Sequence, residues 1–368
     1  MTTATDFRSL ANHHIRNLTP YQPGKPIEEV ERELGIASVI KLASNENPLG
    51  PSPAAIIAAQ KMLQKSQMYP DGGSFELKQA LARFLQVEPA QLIVGNGSEN
   101  ILELVAKTYL TADGAAVLSQ YAFLTIQLLI RSYGAEMRTV PAKQFGHDIR
   151  AMIAAINEKT RIIFVVNPNN PTGTYTTAED MMLLLKSVPP HVLIVVDEAY
   201  HEYVDQRSDY LNLLPLLQEY PNLMITRTFS KAYGLAGMRL GYSISSPEIA
   251  DMLNRARLPF NVNSIVASAA CAALNDQEHI KKTIELNQSG IFHVGEELKK
   301  ANVCYIPSLG NFITIDIKRD GLEVYQKLLH QGVIVRPLGA YGMPTHLRVT
   351  IGTTDENEKF IRALHEVL

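Results

Sequence analysis

The chain has 368 residues, 46% of them hydrophobic, and carries a net charge of −3 with a pI near 6.4. That length exceeds what one core usually fills, so a larger and a smaller domain are expected, and the mild acidity argues against a nucleic-acid surface and for a small-molecule partner. Two cysteines, Cys271 and Cys304, match neither a disulfide framework nor a zinc spacing; they are expected to be core residues of a protein in a reducing compartment. The stretch MTTATDFRSLANHHIRNL is polar and lacks a signal-peptide core, and no later run is long enough to span a bilayer. A cytoplasmic protein is expected.

Residues 1–30 read as an arm, because the Pro- and Gly-punctuated YQPGKP segment fits neither a regular helix nor a central strand. A short strand at Ile40 to Ala43 is broken by SNENPLGPSP, which leaves Asn45 in a loop before a helix that starts behind Pro53. Tyr69 begins the turn YPDGGS. The helix after it, FELKQALARFLQ, places Leu77, Leu81, Phe84 and Leu85 on one apolar stripe that is expected to be core.

Leu92-Ile93-Val94 then runs into Gly95-Asn96-Gly97-Ser98-Glu99-Asn100 and a helix through Leu110. A strand, a Gly-rich turn and a helix start make an anion site, since unpaired N–H groups and the helix dipole face the loop. Gly97, Ser98 and Glu99 would supply those donors. Ala115 to Leu118 is a further strand, followed by Ser119-Gln120-Tyr121-Ala122-Phe123, where an aromatic ring can stack on a planar ligand. RIIFVV (161–166) is a buried strand that ends in Asn167-Pro168-Asn169-Asn170-Pro171-Thr172-Gly173.

Val192 to Val196 is a five-residue apolar run, the mark of a strand buried on both faces, and Asp197 stands at its carboxyl end. A carboxylate there needs a partner. The next strand, within Pro221 to Phe229, leads to Thr228-Phe229-Ser230-Lys231, so Lys231 falls in a loop at a strand end, where α/β sheets hold their ligands. A lysine so placed is a candidate Schiff-base amine if desolvation or a neighbouring cation such as Arg239 lowers its pKa. Lysine and aspartate together suit pyridoxal 5'-phosphate (PLP): the amine binds the aldehyde, and the acid keeps the ring nitrogen protonated. Tyr200 can then donate to the ring's phenolic oxygen. Arg239 to Ser245 is expected as a strand, and helices at 247–256 and 264–275 close the larger unit. From about 277 come one long helix and an α+β unit with strands at Val303 to Ile306, Phe312 to Ile317, Val333 to Arg336 and His346 to Ile351. Arg336 and Arg348 are each expected to end or open a strand, where their guanidinium forks suit carboxylate or phosphate.

In that order and spacing, NPNNPTG, DEAY, Ser230-Lys231 and Arg239 resemble the fold-type I PLP-dependent aminotransferases. YQPGKP, KLASNENPLG and LRVTIG further resemble the histidinol-phosphate aminotransferase family, from about residue 20 to the end. The resemblance implies an α/β fold with a mostly parallel sheet flanked by helices, plus a smaller α+β domain. Its divisions would be an arm at 1–30, a PLP domain at 31–275, whose first residues are shared with the small domain, and a small domain at 276–368. It implies that Asn170 and Tyr200 bond the cofactor's phenolic oxygen, that Phe123 stacks on its ring, and that Gly97, Ser98, Glu99, Thr228, Ser230 and Arg239 hold its phosphate end. Tyr69 would reach that phosphate from the other subunit of a homodimer. Tyr21, Asn45, Asn311, Arg336 and Arg348 would meet the substrates, L-histidinol phosphate and 2-oxoglutarate. An aromatic amino-acid aminotransferase and a phospho-amino-acid decarboxylase are the alternatives on the same scaffold.

Overall fold

The structure, a computed structural model, describes residues 6–20, 23–204 and 207–368. Among these the strands are β1 (Ile40–Lys41), β2 (Leu92–Gly95), β3 (Ala115–Ser119), β4 (Glu136–Val140), β5 (Thr160–Val166), β6 (Leu193–Asp197), β7 (Leu223–Thr228), β8 (Gly241–Ile244), β9 (Cys304–Ile306), β10 (Phe312–Asp316), β11 (Val333–Ile334), β12 (Arg336–Pro337) and β13 (His346–Thr350). They form a seven-stranded sheet of order β2-β8-β7-β6-β5-β3-β4, a four-stranded sheet β12-β13-β10-β9 and a pair β1-β11. In the large sheet only β8 runs against its neighbours, so the carboxyl ends of β2, β7, β6, β5 and β3 share one edge.

The apolar runs are continuous because both faces of that sheet are covered. In β5, Ile163 and Val165 join one core, while Ile162, Phe164 and Val166 join the other. β6 divides in the same way, with Ile194 and Val196 on one side and Leu193 and Val195 on the other. Period-two alternation thus persists beneath an unbroken hydrophobic sequence.

A separate core gathers Val30, Val39, Leu42 and Ala43 with residues of the four-stranded sheet and the last helix, among them Ile313, Val349 and Phe360. Helix Gln277–Lys300 joins the two regions: Ile280 packs on the large core, and Val294 and Leu298 on the small one. Parallel pairing of β1 with β11 brings the segment after Lys41 back beside β13. Thr350 N donates to Leu42 O at 2.8 Å, which fastens this segment over the large sheet's ligand edge.

Several local expectations change. The run Val333 to Arg336 is two strands, because Val333–Ile334 pairs with β1 whereas Arg336–Pro337 pairs with β13 in another sheet. Arg348 lies in the middle of β13, paired with Thr314 and Arg336, and not at a strand end. Arg239 precedes β8 in a left-handed conformation (φ 62°), so that strand starts two residues later than expected. Phe84 is exposed while Leu77, Leu81 and Leu85 are buried, and Cys304 is exposed while Cys271 packs half-buried against the large core, so Phe84 and Cys304 are not core residues.

Candidate active site

Strand order dictates which side chains meet. Reading across the ligand edge, Ser98 follows β2, Arg239 precedes β8, Lys231 follows β7, Asp197 ends β6, Asn170 follows β5 and Phe123 follows β3. All six line one cavity of about 200 Å³, with Glu99, Thr228, Ser230 and Tyr200. The segment after β1 closes it with Ala43, Ser44 and Asn45, and the four-stranded sheet contributes Arg336 and Arg348.

One end of the cavity forms where helix Ser98–Tyr109 starts against β8. A Cβ on Gly241 would come within 2.2 Å of Ser98 N, so only glycine lets the helix start sit this close to the strand. Gly97 has φ 87°, and a Cβ there would lie 2.6 Å from Arg239 Nη2. That arginine donates to Ser230 Oγ at 3.4 Å and to Ala236 O at 3.1 Å, and pairs with Glu99 at 3.3 Å. Thr228 Oγ1 accepts from Ser230 N at 3.1 Å, which shapes the turn carrying Lys231. Hydroxyls, helix-start N–H groups and a guanidinium therefore converge on one end of the cavity.

Lys231 is half-buried, with Nζ donating to Ser44 O at 3.0 Å and lying 5.8 Å from the centre of the Tyr200 ring. Its pKa falls from 10.5 to about 8, chiefly through burial and then through the Arg348 charge; Glu46 and Glu99 oppose the fall, and Arg239 adds least. Arg348 is thus the main cationic neighbour, where the sequence had pointed to Arg239. Asp197 is buried and accepts from Thr226 Oγ1 at 3.1 Å. Burial pushes its pKa up to about 6, so a cation placed against it would return it to the ionised form.

Tyr200 lies edge-on to Phe312, 5.3 Å between ring centres, and burial raises its pKa well above the phenol range. Arg348 is buried between the two regions: Nη1 donates to Asn170 Oδ1, and Nη2 donates to Ala43 O at 2.7 Å. Its Nε is buried without a hydrogen-bond partner among the described residues.

Other expected site residues lie elsewhere. Asn311 is outside the cavity lining; it donates to Asn45 O at 2.9 Å and so fastens the overlying segment. Asn45 borders the cavity, but its amide is engaged by Tyr200 and Thr350. Tyr69 is 83% exposed, stacked on Phe260 at 4.8 Å and away from the cavity. Tyr21 lies outside the described residues. The cavity also draws on Gly24, Ala43, Ser44, Val166 and Ala199, which the sequence reading did not single out. Ser44 acts through its backbone carbonyl, and residue type carries no signal of that.

A sequence model of the family described as aminotransferase class I and II matches residues 37–364. This chain belongs to that family. It is 49% identical over 362 residues to histidinol-phosphate aminotransferase 1 of Nitrosococcus oceani, covering 98% of each chain. It is 50% identical to histidinol-phosphate aminotransferase 2 of Pseudomonas fluorescens over 99% of this chain and 98% of that one. Among solved structures, histidinol-phosphate aminotransferase from Sinorhizobium meliloti in complex with PLP superposes with a TM-score of 0.90 at 29% identity, covering 98% of this chain and 97% of that one. The mostly parallel large sheet and the aminotransferase activity expected from the sequence agree with this membership.

Proposed function

We propose that this aminotransferase moves the amino group of L-histidinol phosphate to 2-oxoglutarate on PLP, as a step of histidine biosynthesis. The observation that carries the reading is the convergence of Lys231, Asp197, Asn170, Tyr200 and the Ser98 helix start on one sheet edge, with Arg348 and Arg336 facing them. The near-50% identity to histidinol-phosphate aminotransferases supports the choice of substrate.

The residues fit PLP. Ser98, Glu99, Thr228, Ser230 and Arg239 would hold its phosphate, with Gly97 leaving room for the arginine. Asp197 would sit at the ring nitrogen, Phe123 on the ring face, and Asn170 and Tyr200 at the phenolic oxygen. Asn170 Oδ1 is occupied by Arg348, which leaves its N–H groups to donate. When bound, PLP supplies an aldehyde carbon and an electron-withdrawing ring. Lys231 Nζ, its pKa lowered to about 8, would hold that aldehyde carbon, with water leaving as the bond forms, and when freed by the substrate amine would move a proton at the substrate carbon. Burial of the lysine and tyrosine keeps water from competing for that proton.

Arg336 and Arg348 are the cations for the donor phosphate and the acceptor carboxylate, with Tyr21 as a further substrate contact. The unpartnered Nε of buried Arg348 is a donor suited to such an anion. We also place the protein in the cytoplasm without a nucleic-acid partner; no described helix is long and apolar enough to cross a membrane.

A homodimer completes the proposal. Met68, Tyr69, Phe75 and Leu258 are each more than half exposed on one chain, an apolar surface of the kind that isologous dimers cover. There Tyr69 would serve the partner's phosphate end.

A donor panel tests the reading. The PLP-loaded enzyme is mixed with L-histidinol phosphate or aromatic amino acids, and the loss of the cofactor's visible absorbance is followed, then glutamate formation with 2-oxoglutarate. Histidinol phosphate should give the highest kcat/KM. A higher value for an aromatic donor would overturn the substrate assignment, and released carbon dioxide would make the enzyme a lyase.

A further inference from the structure

Asn45 is 1% exposed and adopts a left-handed backbone (φ 55°) just beyond β1. Each of its polar groups is used. The main-chain N–H donates to Thr350 Oγ1 at 2.9 Å, and the carbonyl accepts from Asn311 Nδ2 at 2.9 Å. In the side chain, Oδ1 accepts from Thr350 Oγ1 at 3.1 Å and Nδ2 donates to Tyr200 Oη at 2.8 Å.

The Thr350 hydroxyl decides which way round this amide sits. Its oxygen accepts the Asn45 N–H and its proton goes to the Asn45 amide oxygen, so one hydroxyl serves as acceptor and donor and holds the amide this way round. Nδ2 consequently faces Tyr200. A hydroxyl that accepts there has its own proton directed elsewhere, and Tyr200 borders the cavity. Were the amide reversed, Oδ1 would take the Tyr200 proton and the cavity would lose a donor.

We propose that Asn45 is a positioning residue that aims the Tyr200 hydroxyl proton into the cavity, with Thr350 locking the orientation of its amide. This rests on the PLP reading, in which the proton meets the cofactor's phenolic oxygen and favours its ionised form. The other charged or titratable groups facing Tyr200 are Arg348, Asp197, Tyr341, Lys231 and Tyr203, and none of these takes part in the two bonds between Thr350 and Asn45.

The test reads the pH midpoint at which the visible band of PLP-loaded enzyme changes. Thr350→Val removes the lock without adding charge; the midpoint should rise by about one unit, the value of one hydrogen bond to a charged group. Thr350→Ser keeps the hydroxyl and should keep the wild-type midpoint. In a Tyr200→Phe background, Thr350→Val should cause no further shift, whereas a merely structural role for Thr350 would act there as well. Asn45→Ala should raise the midpoint in the same direction by less, also only while Tyr200 is present, and it decides the matter if Thr350→Val fails to fold. A wild-type midpoint in the folded variant, or a shift that persists without the tyrosine hydroxyl, overturns the inference. Absence of any visible cofactor band in wild type after loading would overturn the PLP reading instead.

Discussion

The floor of the cavity and the apolar surface around Tyr69 are built on opposite principles. Asp197 and Tyr200 are buried and Lys231 half-buried, and each has a hydrogen-bond partner on a neighbouring segment: Thr226, Asn45 and Ser44. Tyr69, Met68 and Leu258 have side chains largely in solvent, and the Tyr69 ring stacks on Phe260. The enclosed floor uses burial to set proton affinities. The apolar surface has no such use in one chain, and the proposed dimer would cover it.

Breaking the floor should have the largest effect. On the proposed mechanism Lys231→Ala removes both the attaching amine and the proton carrier, so turnover should fall by about 10⁴-fold or more, since a single general base already contributes about 10²–10⁴. PLP should still bind through its phosphate and ring contacts. Borohydride should fix cofactor to wild type at Lys231 and leave the variant unlabelled; a labelled peptide with any other lysine would refute the assignment.

Asp197→Asn should separate function from stability. Because burial raises the carboxyl to about 6 in the cofactor-free fold, above its unfolded value, the folded state binds more protons between about pH 4 and 6. Stability from this group is therefore lost as pH rises through that window. The amide variant should lack the slope and be more stable at pH 7 without cofactor, by about 3 kcal/mol, while turnover falls about 100-fold or more. Denaturant titrations at pH 4 and 7 beside steady-state kinetics would show it. A variant both active and destabilised would make Asp197 a structural acid.

The sequence made the floor legible for a physical reason. Apolar runs of β5, β6 and β7 announce strands buried on both faces, and the polar residue at each end then has nowhere to lie but the sheet edge. Asn170, Asp197 and Lys231 could be read in that way. The overlying segment could not, because Ser44 acts through a carbonyl and Asn45 through bonds to residues 155 and 305 positions away. Pairing of β1 with β11 creates those neighbours, and two-residue strands leave no periodic trace. Arg348 was misplaced at a strand end for a related cause: its strand belongs to a separate small sheet whose register no local pattern fixes.

Arg348→Ala tests the junction between floor and overlying segment. It should remove the bonds to Asn170 and Ala43 together with the charge that lowers Lys231. Losing a charge-assisted bond costs about 1.5–3 kcal/mol, so kcat/KM should fall about 10- to 100-fold for donor and acceptor alike. The limb of the rate profile set by the lysine should also move to higher pH. If only the melting temperature changes, the arginine is structural.

The smallest effect is expected on the apolar surface, where Tyr69→Ala should weaken PLP binding about tenfold, the loss of one hydrogen bond to a charged group. Its location makes it the sharpest test of the comparison. In one chain the ring is 83% exposed and stacked on Phe260, so truncation disturbs no core and should leave the melting temperature of the monomer nearly unchanged. If two such surfaces pair about a two-fold axis, each tyrosine enters the other chain's phosphate end. Co-refolding Tyr69→Ala with Lys231→Ala then gives mixed dimers in which one site has both Lys231 and a crossing Tyr69, while the other lacks both. The intact site should bind PLP with wild-type affinity and turn over at the wild-type rate per site. If Tyr69 serves its own chain, neither site of a mixed dimer regains both groups, and wild-type affinity should not return in dimers shown by mass to be mixed.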